Sequence, residues 1–230
     1  MAFHGSTRKA SAPRLTSWSF SRLKTYLQCP YKAKLLYIDR MKEPESAPML
    51  EGHRIHKLAE DFLKGIIEDV PEELELFAED YYNLRDCGSA LYVESNAAFR
   101  KDLTPCDWFA KDAWLRAIYD ALVVNDDGTA IVIDLKTGKM RREDSEQLSL
   151  FAFTILLKLP EINEVRTELW YAKGGELVSG DYTRNGFNAY REYWLSKVEP
   201  MLADTEFLPN PSALCRWCHF RKDNNGPCKF

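Results

Sequence analysis

The sequence predicts an α/β or α+β protein: a sheet with helices before, within and after it, and the two chain ends forming a separate small lobe. Three observations carry this. β-branched and aromatic runs bounded by turn residues cluster between positions 91 and 182. Apolar residues at helical spacing come before, within and after those runs, which is the order an α/β or α+β core requires. The last twenty-two residues, opened by Pro209 and Pro211, are rich in cysteine. With 230 residues, 45% hydrophobic and 29% charged, the chain has ordinary globular composition. A chain of this size buries about 70% of the surface exposed when unfolded, enough for one sizeable core without disulfides.

Taken in order, Ser17 and Ser19 sit where N-caps belong, and Phe20, Leu23, Tyr26 and Leu27 follow at helical spacing until Pro30. A second helical piece spans 31–37. Pro44 and Pro48 mark a loop, and Ile55, Ala59, Phe62, Leu63 and Ile66 then place one face of an amphipathic helix over 51–67. Pro71 separates it from a further helix over 72–85. Strands are predicted at 91–94, 114–124, 130–136, 165–172 and 177–182. A helix at 145–158 falls between the third and fourth strands, and another at 187–202 follows the last.

The charge is unevenly spread. Net charge is −4, yet residues 1–42 hold nine Lys/Arg against one acid, Asp39, which leaves −12 for the remainder. The stretch 60–80 carries nine acids against Lys64. One face can therefore bind polyanions while another repels them. The longest apolar stretch, 148–157, is half the length of a membrane span. No secretory h-region follows the basic residues 1–14, which read as a loose arm, so the expectation is a cytoplasmic protein that does not engage a membrane. Six cysteines there are reduced thiols or metal ligands.

The chemistry-bearing residues begin at a hairpin. Asp126 to Gly128 form a three-residue loop with Gly128 left-handed, pairing Asn125 with Thr129. Opposite residues then sum to 254, setting Asp120 across from Asp134, with Cβ atoms about 5 Å apart on one face. Lys136 points to the same face. Adjacent carboxylates repel, and a divalent cation between them turns repulsion into binding; a lysine alongside suits phosphodiester hydrolysis. A solvated strand face presents the same pattern when it stands alone. His56 lies on the apolar side of the 51–67 helix and offers an imidazole suited to Mn²⁺ as well as Mg²⁺, or a core histidine with a polar partner. His53 is read as more exposed.

These residues resemble the RecB-type branch of the PD-(D/E)XK nucleases. Gly52-x-x-x-His56, Asp120, Asp134-x-Lys136-Thr137-Gly138 and Gln147-x-x-x-Phe151 stand in that branch's order and on its helices and strands. Ala117 replaces a frequent glycine, and Phe151 replaces the usual tyrosine, removing a hydroxyl. The resemblance implies a restriction-endonuclease-like α/β core, a mixed sheet flanked by helices, and a catalytic set of Asp120, Asp134, Lys136 and Gln147. It implies a metal set of His56, Asp120 and Asp134 holding Mg²⁺ or Mn²⁺. For DNA contact, Lys139, Arg141 and Arg142 follow the Asp-x-Lys strand, and Arg22 and Lys24 lie in the basic N-terminal segment.

Cys215-x-x-Cys218 with Cys228 ten residues on is a spacing for zinc or an iron–sulfur cluster, and a fourth ligand is needed. The resemblance supplies Cys29, because RecB-type nucleases with an iron–sulfur lobe carry one cysteine before the core and three near the C-terminus. It implies a 4Fe-4S cluster joining the chain ends, with Zn²⁺ the alternative and His219 an alternative ligand. AddB nuclease domains, CRISPR-associated adaptation nucleases and phage exonucleases share this arrangement. Cys87 and Cys106 read as packing residues. Trp217 and Phe220, among Arg216, Arg221 and Lys222, suit either stacking on bases or filling a small lobe.

The resulting expectation is a metal-dependent DNA exonuclease acting at DNA ends or on single strands, of the stand-alone kind found in phages and CRISPR loci. The alternative is a nuclease-fold accessory module that binds DNA ends or a recombination or adaptation partner and cuts poorly. Oligomers are compatible with either reading. The expected organisation is a flexible basic arm at 1–16 and a core at 17–205, of which 17–42 also contributes to the cluster lobe. A cysteine segment at 206–230 would pack against the region of Cys29.

Overall fold

The computed structural model describes residues 12–140 and 144–230. The chain divides into two compact units. One comprises Met1–Thr16, Ser21–Glu43 and Val198–Phe230; the other comprises Ser17–Phe20 and Pro44–Lys197. The second holds the sheet. Its six strands are β1 (Ala90–Phe99), β2 (Pro105–Cys106), β3 (Leu115–Val124), β4 (Thr129–Lys136), β5 (Glu164–Tyr171) and β6 (Glu176–Thr183). They lie in the order β2-β1-β3-β4-β5-β6. Every neighbouring pair is antiparallel except β4 and β5. A parallel pair needs a crossover, and the helix Ser145–Lys158 between those strands provides it.

The helices are α1 (Phe20–Gln28), α2 (Pro30–Tyr37), α3 (Ala47–Leu63), α4 (Ala78–Arg85), α5 (Ser145–Lys158) and α6 (Phe187–Ala203). α3 starts four residues earlier than its apolar spacing predicts, because Pro48 falls in the first turn, where its missing N–H costs nothing. It stops at Leu63 because Gly65 turns left-handed, with φ +70°. The predicted 72–85 helix is a 3₁₀ turn, Glu72–Phe77, followed by α4. Three residues per turn stack Leu74 and Phe77 on one side, and both are buried.

On one face of the sheet, Ile55, Ala59 and Phe62 of α3 join Leu74, Phe77, Tyr81 and Leu84 over Ala121, Val123, Ile133, Leu135 and Trp170. Trp170 stacks on Phe77 and takes Tyr81 edge-on, both at 5.1 Å between centroids. α5 is buried nearly all round, with Leu148 and Leu150 through Leu156 inside, which is why it reads as a continuous apolar run. Trp18, ahead of α1, stacks on Trp194 of α6 and meets Trp114 edge-on. In the other unit, Tyr26 of α1 donates to Asp204, and its ring meets Phe207 edge-on.

Candidate active site

The site grows from the β3–β4 hairpin. Asn125 donates its N–H to the Thr129 carbonyl at 3.0 Å, Gly128 has φ +84°, and Asp127 accepts from both the Thr129 amide and hydroxyl. The register, Ala121 opposite Ile133 and Val124 opposite Ala130, is the one the loop predicts. One step beyond Ala121 and Ile133, Asp120 faces Asp134 in register, but the ladder has ended. Leu135 instead donates its N–H to Asp120 Oδ2 at 2.6 Å, so a carboxylate takes the place of a strand partner. Side-chain alternation also breaks there. Tyr119 packs edge-on against Phe151 of α5 and donates to Thr154, whereas Ala121 lies in the cluster under α3.

α3 brings the imidazole. A Cβ on Gly52 would stand 3.1 Å from Thr137 Oγ1, so glycine lets the helix approach the end of β4. One turn later His56 Nδ1 lies 3.0 Å from Asp120 Oδ1. β1 adds a residue that the sequence reading missed. Glu94 stands opposite Asp120, between the pairs Val93–Ala121 and Ser95–Tyr119, and has φ +53°. A left-handed glutamate within a strand is strained, and such strain is characteristic of functional sites. One ligand atom from each of His56, Glu94 and Asp120 lies within 4.8 Å of the other two, the sole such group of three among the described residues.

Beside this trio sits a second group. Lys136 Nζ lies 2.5 Å from Asp134 Oδ2 and donates to Gln147 Oε1 at 2.8 Å, while Gln147 Nε2 donates to Asp134 Oδ1 at 3.4 Å. Asp134 Oδ2 is buried and, apart from the Lys136 ammonium, has no hydrogen-bond partner. Burial pushes the Asp134 carboxyl up to about 6; the charge of Asp120 adds to the rise, and Lys136 and His56 oppose it. Burial works against the charge on His56, but Asp120, Asp134 and Glu94 outweigh it and raise its pKa. Burial and then Asp120 raise the Glu94 carboxyl. Asp134 is buried and Glu94 is exposed, and both carboxyls are raised, a pattern that functional sites share with structural ion-pair networks.

All five residues of the predicted catalytic and metal sets are thus on neighbouring elements. His56 and Asp120 group with Glu94, and Asp134 groups with Lys136 and Gln147. Lys139 is exposed after β4, whereas Arg141 and Arg142 lie outside the described residues. Arg22 and Lys24 belong to the other unit, where the Arg22 guanidinium lies over the Tyr37 ring. Phe151 is buried against Tyr119, so its ring is core rather than a substrate contact. Carboxylate oxygens with an imidazole form a donor set that fits Mg²⁺ or Mn²⁺.

The other unit contains an open cavity whose lining includes Cys29, Cys215, Cys218 and Cys228. All four are free thiols. Cys29 Sγ accepts the Asn210 amide at 3.5 Å, and Cys215 Sγ accepts the Ser212 amide at 3.4 Å. His219 does not line the cavity; its ring meets Phe220 edge-on. Among the described residues, no three of these sulfurs lie within 4.8 Å of one another. Tetrahedral zinc with bonds of about 2.3 Å would hold them about 3.8 Å apart. Cys87 is exposed rather than packed, because the turn after α4 carries it to the surface.

The chain matches the PD-(D/E)XK nuclease superfamily over residues 17–222. It belongs to that superfamily, whose nucleases use divalent metals. Among solved structures it resembles a Eubacterium rectale protein named "Putative exonuclease", with TM-score 0.50 and 12% identity over 90% of this chain and 88% of that one. It also resembles SSO0001, with TM-score 0.44 and 18% identity over 94% of this chain and 86% of that one. No curated protein matches the chain. No helix among the described residues is long and apolar enough to cross a membrane.

Proposed function

We propose that the chain is a RecB-type deoxyribonuclease that uses Mg²⁺ or Mn²⁺ and removes nucleotides from DNA ends or single strands. The observation that carries this is the meeting of His56, Glu94 and Asp120 beside Asp134, Lys136 and Gln147. His56, Asp120 and Asp134 would hold the ion, with Glu94 an additional oxygen donor. When bound, the ion supplies Lewis-acid polarisation of the phosphodiester and activation of water. Lys136, fixed between Asp134 and Gln147, orients the attacking water and balances charge growing on the phosphate. Gln147 keeps the ammonium in place, and the Leu135 amide fixes one oxygen of Asp120. The preference for ends rests on the RecB-type motifs, and the E. rectale protein's name agrees with it.

The cysteine unit would carry a 4Fe-4S cluster tying the segment around Cys29 to residues 206–230, outside the 17–205 core. Support comes from four thiols around one cavity and from N–H donors on two of them. Their spread suits a multi-iron cluster better than one zinc ion.

The test is cleavage of end-labelled linear and closed circular DNA with Mg²⁺ or Mn²⁺, with Lys136→Ala alongside. Loss of linear DNA alone, absent in the variant, is the expected result. Cutting of circles would replace the exonuclease by an endonuclease. No cleavage at all would favour an accessory module that binds DNA ends or a recombination partner.

A further inference from the structure

The cysteine unit displays an aromatic that its packing does not use. Of the two rings near the cysteines, Phe220 is 1% exposed and fills the unit's interior, while Trp217 is 75% exposed. Trp217 lies between Cys215 and Cys218, on a 3₁₀ turn, Ala213–Trp217, that is pinned at both ends. The Ser212 hydroxyl accepts the Leu214 amide, and Arg221 donates to the Arg216 carbonyl at 2.7 Å. The Arg216 guanidinium stands 5.4 Å from the Trp217 ring centre. A second pair repeats the pattern, with the Lys229 ammonium 5.2 Å from the half-exposed Phe230 ring. Residues 213–230 carry four Lys/Arg against one acid, Asp223. The described residues of the unit carry eleven Lys/Arg against six acids, in a chain of net −4.

Single exposed rings are ordinary on a protein surface, and what sets Trp217 apart is the guanidinium beside it in a basic unit. An exposed indole on a pinned turn, with a planar cation beside it in a basic unit, matches the chemistry of an unstacked nucleobase and its phosphate. Trp and Arg also serve at protein interfaces, so a protein contact, read as a change in self-association, is an outcome the test separates. We infer that Trp217, with Arg216, is a stacking platform for an unpaired base of single-stranded nucleic acid. This rests on the nuclease reading and adds a site in the cysteine unit.

The test measures binding of the full-length protein, in chelator so that nothing is cut, to a labelled oligothymidylate, an abasic oligomer of equal length and a blunt duplex. Trp217→Ala should weaken oligothymidylate binding about 5- to 100-fold. Trp217→Phe should recover most of the loss. The abasic oligomer should bind wild type and Trp217→Ala alike, a control that does not depend on the variant alone. Arg216→Ala should lower the salt slope by about one phosphate. Equal affinity of wild type and Trp217→Ala for oligothymidylate overturns the inference, as does an equal loss for all three ligands. If Trp217→Ala alters self-association instead, the ring is a contact between copies and the inference also fails. Failure here with normal metal-dependent cleavage leaves the nuclease reading intact. Absence of both cleavage and oligonucleotide binding overturns both.

Discussion

Replacing Asp134 by asparagine should stabilise the metal-free protein. Asp134 is buried, and its carboxyl is raised from 3.8 to about 6 even with Lys136 at 2.5 Å, so the ion pair does not fully offset the burial. The native state therefore binds one more proton than the unfolded chain between about pH 4 and 6. Stability falls as pH rises through that window and levels off above it. A rise of this size corresponds to about 3 kcal/mol lost at pH 7.5. Asparagine keeps the shape and removes the charge, so the variant should gain about 2–3 kcal/mol at pH 7.5. In a chain of this length that is a rise of about 4–12 °C in Tm. The gain should shrink to nothing near pH 4, where the native carboxyl is protonated. Thermal melts in EDTA at pH 4, 5, 6 and 7.5 read the difference, and cleavage by the variant should drop at least 100-fold. A variant less stable at pH 7.5, or a gain independent of pH, would refute the reasoning.

Three further outcomes follow from the same geometry. Glu94→Gly should release left-handed backbone strain and leave stability unchanged or up to about 1 kcal/mol higher, while weakening Mn²⁺ binding measured by calorimetry; a large loss of stability would contradict the strain. A cation that takes the His56 nitrogen displaces a proton whose pKa lies above 6.5, so apparent Mn²⁺ affinity should already be falling at pH 6.5 and approach a tenfold loss per unit below it. His56→Ala should flatten that dependence. Gly52→Leu places a side chain against Thr137 and should displace α3 from β4; circular dichroism should keep the helix content while cleavage falls at least tenfold.

Much of the site was legible because its spacing is local. The hairpin register followed from Gly128 and its three-residue loop, and α5 from an apolar run whose ends the structure reproduces at Ser145 and Lys158. Glu94 was not legible. The predicted strand ends at 94, before the polar Ser95 and Asn96, whereas β1 continues to Phe99 because β3 pairs with it. Long-range pairing overrode local polarity, and only that pairing sets Glu94 opposite Asp120. The 3₁₀ turn before α4 was missed because Leu74 and Phe77 satisfy a helical spacing of three as well as a 3₁₀ one.

Among the described residues the sheet-bearing unit carries sixteen Lys/Arg against twenty-eight acids, whereas the cysteine unit carries eleven against six. A polyanion gains little from the field of the catalytic unit, so its affinity has to come from a few local cations or from the basic unit. Asp120, Asp134 and Glu94 add three carboxylates at the site itself, and two bound charges of a divalent ion do not cancel them. Under the proposed function Lys136 would supply the remaining positive charge, an electrostatic task besides the proposed orienting of water. Lys136→Arg preserves that charge but not the fit between Asp134 and Gln147. If charge balance dominates, the arginine variant should retain the wild-type dependence of DNA binding on salt while losing turnover. If the fit dominates both, binding and turnover should fall together, and anisotropy titrations beside single-turnover cleavage separate the two.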